Sequence, residues 1–197
     1  MRQTKLLGNK RARSRSPSPQ KLAVVAVYTD GACSSNGHAG ARGGIGVYFG
    51  PRDERNVSER LPADGPAHTN QRAELAAIVR ALEVTKHVRE RLLVHTDSAY
   101  SIGCATLWLA GWKRNGWRNS KKEPVANQDL VRALDAAIEA RRGPTEFRKV
   151  KGHSGDPGNE AADALATRAI QTPTAAAAAA DDWPTRRLGR MHNKQIE

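Results

Sequence analysis

Runs of apolar residues along the chain predict five β-strands. Their sequences are KLAVVAVYTDGA, GGIGVYFG, NVSERL, RLLVHTD and TEFRKVKG. The first is a continuous β-rich run, and Asp30-Gly31 is a turn signal that is expected to end it. Short loops join the first three strands, which predicts an antiparallel meander because parallel neighbours need long crossovers. The fourth strand is predicted to end at Asp97 and the fifth at Lys151.

Segments with helical spacing of apolar residues separate and follow the later strands. The first runs from Thr69 to Val88, and Thr69 or Asn70 can cap its first turn. Three further helices are predicted over residues 98–109, 127–142 and 156–170. The last has Asp156 as its N-cap and Pro157 in its first position. The order β-β-β-α-β-α-α-β-α predicts an α/β domain whose five-stranded mixed sheet combines the antiparallel meander with two parallel strands and is flanked by helices.

The chain divides into one domain and two tails. The predicted elements lie within residues 22–170 of a chain of 197 residues. Residues 1–21 hold seven basic side chains and no acid, and their composition predicts a disordered basic tail. Residues 171–197, which include a run of alanines, are interpreted as a low-complexity C-terminal tail. The chain has 32 Lys and Arg against 20 Asp and Glu, a formal charge of +12, which indicates an anionic polymer as partner.

Cysteine content and hydropathy exclude several protein classes. Cys33 and Cys104 are the only cysteines, so neither a disulfide framework nor a zinc site is expected, and a reducing intracellular compartment is favoured. The apolar runs are too short to cross a bilayer, and the N-terminus lacks the apolar stretch of a signal peptide. We therefore expect no membrane association. We also expect the protein to be a monomer. Leu6 and Leu7 are too few apolar residues for an amphipathic presequence, which favours the nucleus over the mitochondrion or the cytoplasm.

Four acidic residues are predicted to meet at one edge of the sheet. Asp30 and Asp97 end the first and fourth strands, which a right-handed crossover makes parallel. Glu74 lies near the start of the helix that enters from this edge, and Asp163 lies about two turns into the last helix. Open α/β sheets usually bind ligands beyond the carboxyl ends of their strands. The topology therefore predicts a ligand site at these acids.

Such a group of carboxylates needs cations. Without them the carboxylates would repel one another and raise one another's pKa values. Mg²⁺, bound by oxygen ligands together with a substrate phosphate, fits this requirement. Two such ions would stabilise both the attacking and the leaving oxygen of a phosphodiester displacement. Taken singly, each acid could equally be a turn residue, a helix N-terminal acid or a solvated position, and only their convergence favours a site.

Five ordered motifs resemble those of the cellular type I ribonuclease H family. They are TDGACSSNG, TNQRAE, HTDSAYSI, GWKRNGW and KVKGHSGDPGNEAADALA. The resemblance covers about residues 24–170, with the order and spacing of the family. It implies the ribonuclease H-like fold and an endonuclease that uses two Mg²⁺ ions, for which Mn²⁺ can substitute.

The resemblance implies a catalytic role for five residues. Asp30 would bridge both metal ions, and Asp163 would hold the ion that activates the attacking water. Glu74 and Asp97 would hold the ion at the leaving 3′ oxygen. His153, in the GHSGDPG loop, would shuttle protons or assist product release, whereas without the resemblance it would be a surface loop histidine.

Substrate-binding residues also follow from the resemblance. Ser35, Asn36, Asn70 and Gln71 would read 2′-hydroxyls and minor-groove edges of the RNA strand, which are the features that distinguish RNA from DNA. These short polar side chains could otherwise be loop and capping residues.

A second implied subsite holds a phosphate of the DNA strand. Thr69 and Asn127 would grip that phosphate. Many family members place an arginine in the same pocket, at the position where this chain has Ala67. The grip on DNA is therefore expected to be weaker here, unless His68 or Arg72 compensates.

The basic segment (Trp112–Lys122) reads WKRNGWRNSKK, with five cations, two tryptophans and no acid. In the family this region is a protrusion that cradles the DNA strand. Aromatic surfaces among phosphate-binding cations are a usual arrangement for nucleic acids. The expected contacts come from Tyr100, Trp112, Lys113, Arg114 and Trp117. The alternative is a solvated loop whose tryptophans pack into the core.

Together these features predict an endonuclease that cuts the RNA strand of RNA–DNA hybrids and leaves 5′-phosphate and 3′-hydroxyl ends. Three alternatives remain open. They are a non-catalytic binding module of the same fold, a ribonuclease H domain released from a reverse transcriptase, and a related nuclease or resolvase for duplex DNA. The four acids argue against the first, the basic segment modestly against the second, and Asn36 and Gln71 against the third.

Overall fold

The structure is a computed structural model that describes residues 23–171. The strands are β1 (Val24–Ser34), β2 (Arg42–Tyr48), β3 (Val57–Arg60), β4 (Arg91–Thr96) and β5 (Thr145–Lys149). The helices are α1 (Asn70–Val84), α2 (Ala99–Gly103), α3 (Leu109–Arg114), α4 (Gln128–Ala140) and α5 (Pro157–Gln171), with a π-helical turn (Cys104–Trp108) between α2 and α3. Apart from Gln171, which ends α5, the two predicted tails lie outside the described residues.

The five strands form one mixed sheet, as the sequence predicts. Their order across the sheet is β3-β2-β1-β4-β5. Strands β1, β2 and β3 pair antiparallel, whereas β4 pairs parallel with both β1 and β5. Strand β1 is therefore central, and it is the strand that carries Asp30.

Strand β1 is longer than the sequence predicts. Its parallel pairing with β4 ends at Tyr28 opposite His95, but its antiparallel pairing with β2 continues to Ser34 opposite Arg42. The prediction that Asp30-Gly31 ends the strand is therefore wrong, because pairing with β2 overrides the local turn signal. The predicted end of β5 at Lys151 is also too late, since the strand ends at Lys149.

Helix α1 covers one face of the sheet. Leu75, Ile78 and Leu82 on α1 are fully buried in the core together with Val27 and Val94 of the central strands. The predicted N-cap is confirmed: the Oγ1 atom of Thr69 accepts a hydrogen bond from the backbone N–H of Arg72 at 3.1 Å. The burial and the cap together fix where the first turns of α1 stand relative to the end of β1.

The helical run after β4 extends further than predicted. It continues from α2 through the π-helical turn into α3, which ends at Arg114 rather than near Leu109. The first residues of the basic segment, Trp112–Arg114, are therefore helical. Trp112 also packs against the core, which explains why the helix continues into this polar sequence.

Helix α5 packs on the opposite face of the sheet, against glycines of β2. A Cβ atom added to Gly46 would lie 1.9 Å from the carbonyl oxygen of Ala162, and one added to Gly44 would lie 2.3 Å from that of Ala166. The Oγ of Ser58 donates to the carbonyl of Leu165 at 2.7 Å, which joins α5 to β3 as well. The predicted cap is confirmed, since Asp156 accepts from the N–H of Gly158 at 2.9 Å.

None of the helices described between residues 23 and 171 combines the length and the apolar character that crossing a bilayer requires.

Candidate active site

Asp30 is the most strongly perturbed acid of the predicted cluster. Its side chain extends from β1 just beyond the last parallel pair, and the residue is 8% exposed. Burial, first, and then the nearby carboxylates of Asp97, Asp163 and Glu74 together raise the pKa of Asp30 to about 7. A hydrogen bond from the N–H of Gly31 at 2.7 Å acts in the opposite direction. The predicted convergence of the four acids is therefore visible in the electrostatics of Asp30.

A glycine lets Glu74 approach Asp30. A Cβ atom on Gly31 would lie 2.2 Å from the backbone nitrogen of Glu74, so only glycine lets β1 and the start of α1 come this close. The Glu74 carboxylate accepts a hydrogen bond from the hydroxyl of Ser98. Burial raises the pKa of Glu74, the Ser98 hydrogen bond lowers it, and the charge of Asp97 raises it.

Asp97 follows the last residue of β4 and contacts the loop that carries His153. A Cβ atom on Gly152 would lie 2.2 Å from the Oδ2 atom of Asp97, so the loop backbone rests against this carboxylate. His153 itself is exposed and adopts a left-handed backbone conformation with φ 49°. The loop therefore passes Asp97 at Gly152, and the next residue, His153, is accessible from solvent.

The four acids fit a hard divalent cation in their chemistry. All are oxygen donors, they share one edge, and their mutual repulsion would be relieved by a cation. No three acidic, histidine or cysteine side chains within residues 23–171 are close enough together to form a complete ligand cluster by themselves. Mg²⁺ does not require one, because it typically takes one or two protein carboxylates and completes its shell with water and substrate phosphate.

The four predicted RNA-reading residues lie on two linked segments beside the acids. Ser35 and Asn36 belong to the loop after β1, whereas Asn70 and Gln71 begin α1, and all four are exposed. The Oδ1 atom of Asn36 accepts from the backbone N–H of Asn70 at 3.0 Å. The structure thus brings these side chains together on one accessible surface.

The predicted phosphate pocket contains Arg72 in addition to Thr69 and Asn127. The Nη1 atom of Arg72 donates to the Oδ1 of Asn127 at 3.4 Å, and the guanidinium forms a bidentate ion pair with Asp129. His68 cannot compensate for Ala67, because Gly43 N–H bonds to its Nδ1 at 2.8 Å and its Nε2 lies 2.8 Å from the carbonyl of Pro62. Arg72 therefore supplies a cation beside Thr69 and Asn127, although the Asp129 carboxylate balances its charge.

Aromatic residues connect this pocket to the basic segment. The ring centroids of Tyr100 and Trp108 are 6.1 Å apart, and those of Trp108 and Trp112 are 5.6 Å apart. The Nδ2 of Asn127 donates to the hydroxyl of Tyr100 at 3.3 Å. Trp108 is 40% exposed and was not among the predicted substrate-binding residues. It lies four residues before Trp112, a helical spacing that could have indicated that the two rings share one face.

The basic segment is a folded structure rather than a free loop. Beyond α3, the N–H of Trp117 donates to the carbonyl of Trp112 at 2.8 Å, and residues Arg118 and Pro124 form an isolated antiparallel bridge. Lys113 and Arg114 are both exposed, but only Lys113 forms ion pairs with acids of α4 within the described residues. The two predicted cationic residues therefore differ in their surroundings.

Sequence reasoning missed Ser98. Its side chain is buried, caps α2 by accepting from Ser101 N–H at 3.1 Å, and also holds Glu74. The sequence did offer one signal for a role of Ser98: it directly follows Asp97, at the position where a serine can cap the helix that begins there. The contact with Glu74, however, depends on how α1 and α2 pack.

A family model described as RNase H matches residues 23–171 of the chain. The chain is 50% identical over 141 residues to the Ribonuclease H of Dinoroseobacter shibae, which covers 71% of this chain and 86% of that protein. It is 45% identical over 143 residues to the Ribonuclease H1 of rat, which covers 72% of this chain and 48% of the rat protein. The chain thus spans about half the length of the mammalian relatives that it matches.

The fold is likewise similar to solved ribonuclease H structures. LC9-RNase H1, described as a type 1 RNase H with the type 2 active-site motif, is 30% identical with a TM-score of 0.59, covering 80% of this chain and 75% of that chain. With the matched motifs, the central Asp30 and the sheet order β3-β2-β1-β4-β5, these findings agree on one assignment. The chain belongs to the ribonuclease H family.

Proposed function

We propose that this chain is a metal-dependent ribonuclease H that hydrolyses the RNA strand of RNA–DNA hybrids and leaves 5′-phosphate and 3′-hydroxyl ends. The observation that carries the proposal is buried Asp30, whose pKa is raised to about 7 by burial and by three neighbouring carboxylates. A fold does not need such a group for stability, and acids with strongly raised pKa values in a shared site are typical of functional centres. The retained acids argue against a non-catalytic binding module.

Asp30, Glu74, Asp97 and Asp163 are the residues that would hold Mg²⁺. Bound there, Mg²⁺ would supply Lewis-acid stabilisation of the phosphate oxygens during the displacement. The chain itself contributes the arrangement of the oxygens. Gly31 allows α1 to approach β1, and Ser98 fixes one carboxylate oxygen of Glu74, so the other oxygen stays available. His153 is exposed beside Asp97 and is suited to move a proton to or from solvent.

Discrimination between the two strands of a hybrid is assigned to two surfaces. Exposed Ser35, Asn36, Asn70 and Gln71 offer hydroxyl and amide groups for 2′-hydroxyl and minor-groove contacts, which only an RNA strand provides in full. Thr69 and Asn127 face the DNA strand. This division argues against a nuclease for duplex DNA, which would have no use for 2′-hydroxyl contacts.

The direct test compares four substrates with and without Mg²⁺. We expect cleavage of RNA within an RNA–DNA hybrid, and none of duplex DNA, single-stranded RNA or double-stranded RNA, because only the hybrid satisfies both surfaces. End-labelled products would show whether the cuts leave 5′-phosphate and 3′-hydroxyl ends. Cleavage of duplex DNA at a similar rate, or full activity in excess EDTA, would contradict the proposal.

Ser98→Gly is expected to raise the Mg²⁺ concentration needed for half-maximal activity by about tenfold. Glycine still caps a helix at a cost of only a few tenths of a kcal/mol, so this change removes the Glu74 contact and largely keeps α2. Ser98→Thr keeps a hydroxyl and is the matched control. Mg²⁺ titration by calorimetry provides a second measurement that does not depend on turnover. An unchanged Mg²⁺ requirement in Ser98→Gly would show that the contact does not position Glu74.

A further inference from the structure

The five cations of the basic segment differ in what they contact. The Nζ atom of Lys113 lies 2.7 Å from the Oδ2 of Asp135 and 2.9 Å from the Oε1 of Glu139. The Nη1 of Arg118 donates to the backbone carbonyl of Lys122 at 2.6 Å. The side chains of Arg114, Lys121 and Lys122 are exposed and form no ion pair or hydrogen bond within residues 23–171.

We propose that Lys113 is a positioning residue that fixes the basic segment on α4, and that it does not contact nucleic-acid phosphate. We call the ion pairs of Lys113 with Asp135 and Glu139 the brace. The charge offered to the DNA strand then comes from the other cations of the basic segment, and Arg114 directly follows the brace. The inference rests on the proposed function for the identity of the ligand, but the brace itself is independent of any ligand.

Charge balance is the first reason. One ammonium between two carboxylates has a net charge of −1, so the group as a whole does not attract a phosphate. To reach a phosphate, Lys113 would have to leave both acids. The side chain of Asp135 is 17% exposed and that of Lys113 is 42% exposed, so the ion pair is partly shielded from solvent on the side of Asp135. Asp135 and Glu139 are four residues apart on one face of α4, which allows both to face the same ammonium.

A second contact between α4 and the basic segment supports the brace. The guanidinium carbon of Arg132 lies 4.3 Å from the centre of the Trp117 ring, which is a cation–π arrangement. Lys113 precedes the turn at Asn115–Gly116, and Trp117 follows it, so α4 holds the chain on both sides of this turn. Exposed ion pairs contribute little singly, and it is the combination of these interactions that fixes one orientation.

The test measures hybrid binding by the full chain against salt concentration, in an Asp30→Asn background that prevents cleavage. Removing one cation that binds a phosphate should reduce the slope of log K against log salt by roughly 0.7–0.9. Lys113→Ala should weaken binding several-fold without changing this slope, whereas Arg114→Ala should reduce it by that amount. In the active enzyme, both should raise KM with little effect on kcat. A slope reduced as much in Lys113→Ala as in Arg114→Ala would overturn the inference.

Removing the acids provides the converse experiment. Asp135→Asn combined with Glu139→Gln should free Lys113 and steepen the slope by roughly 0.7–0.9. The same two changes in a Lys113→Ala background should leave the slope unaltered, and steepening there would assign the effect to the acids alone and contradict the brace.

Hydrogen exchange separates failure of the brace from failure of the proposed function. Lys113→Ala should speed amide exchange in α3 (Leu109–Arg114) of the free protein, whereas Arg114→Ala should not. Absence of hybrid binding by the parent chain would refute the proposed function and leave this comparison to decide the brace. Equal exchange in both variants would overturn the brace whether or not the hybrid binds.

Discussion

Replacing Asp30 with asparagine is expected to reduce the cleavage rate more than about 100-fold and to leave hybrid binding largely intact. The change keeps the size and the hydrogen bond from Gly31 but removes the charge that Mg²⁺ requires at the centre of the cluster. Charge stabilisation by a bound metal is worth several kcal/mol of the barrier, and each 1.36 kcal/mol is a factor of ten in rate. Single-turnover rates at saturating hybrid are the appropriate measurement. A variant that retained a tenth of the parent rate would exclude a central role for Asp30.

The same substitution is expected to stabilise the metal-free fold above neutral pH. The pKa of Asp30 rises from 3.8 to about 7 in the folded state, so between these values the folded chain keeps a proton that the unfolded chain has lost. Stability therefore decreases as pH rises through this window. Asparagine resembles the protonated side chain and avoids this decrease, which amounts to up to about 4 kcal/mol at about 1.4 kcal/mol per pKa unit.

Thermal unfolding in EDTA measures this effect. The Tm of Asp30→Asn should exceed that of the parent above the folded-state pKa, and the difference should shrink as pH falls toward 3.8. Added Mg²⁺ should raise the Tm of the parent more than that of the variant, because ligands that bind only the folded state stabilise it. A lower Tm for Asp30→Asn at every pH would mean that Asp30 stabilises the fold, contrary to its burial among like charges.

Gly46→Ala is expected to destabilise the protein by about 3 kcal/mol or more and to lower activity in the fraction that folds. The added methyl group would lie 1.9 Å from the carbonyl oxygen of Ala162 and 2.8 Å from the nitrogen of Ala166, both of which are backbone atoms that cannot turn away. Helix α5 would have to shift from the sheet, and Asp163 would shift with it. Urea unfolding measures the first effect and kcat at saturating Mg²⁺ the second.

Gly111→Ala is the matched control for that experiment. Gly111 lies within α3, and an added Cβ atom would meet nothing within 4 Å. Alanine is favoured over glycine in a helix by roughly 0.5–1 kcal/mol, so this variant should be slightly stabilised. Equal destabilisation of both variants would show that contact with α5 is not the cause.

The topology and the acidic cluster were predictable because they depend on local signals. Apolar runs and turn residues define five strands, and the parallel crossover brings Asp30 and Asp97 to one edge whatever the details of packing. The residue types of the cluster then indicate the ion. The end of β1 was not predictable in this way, since Gly31 is a local turn signal that long-range pairing with β2 overrides.

The partners of individual side chains were also beyond the sequence. Lys113 reads as one of five equivalent cations in a basic segment, because only the packing of α3 against α4 brings Asp135 and Glu139 to it. His68 reads as a possible phosphate ligand until both ring nitrogens are found bonded to backbone groups. Such interactions join residues far apart in the chain, and no local pattern records them.

The packing of α5 also decides when the fourth acid joins the other three. Its hydrogen bonds join distant parts of the chain, as between Ser58 and Leu165, 107 positions apart. Closing loops of this length is slow, because the chain gives up their entropy before the stabilising interactions form. A chain still under synthesis, or one whose α5 has not docked, holds Asp30, Glu74 and Asp97 without Asp163. The complete set of four acids therefore depends on docking of α5 against β2 and β3, and it exists only in the fully packed domain.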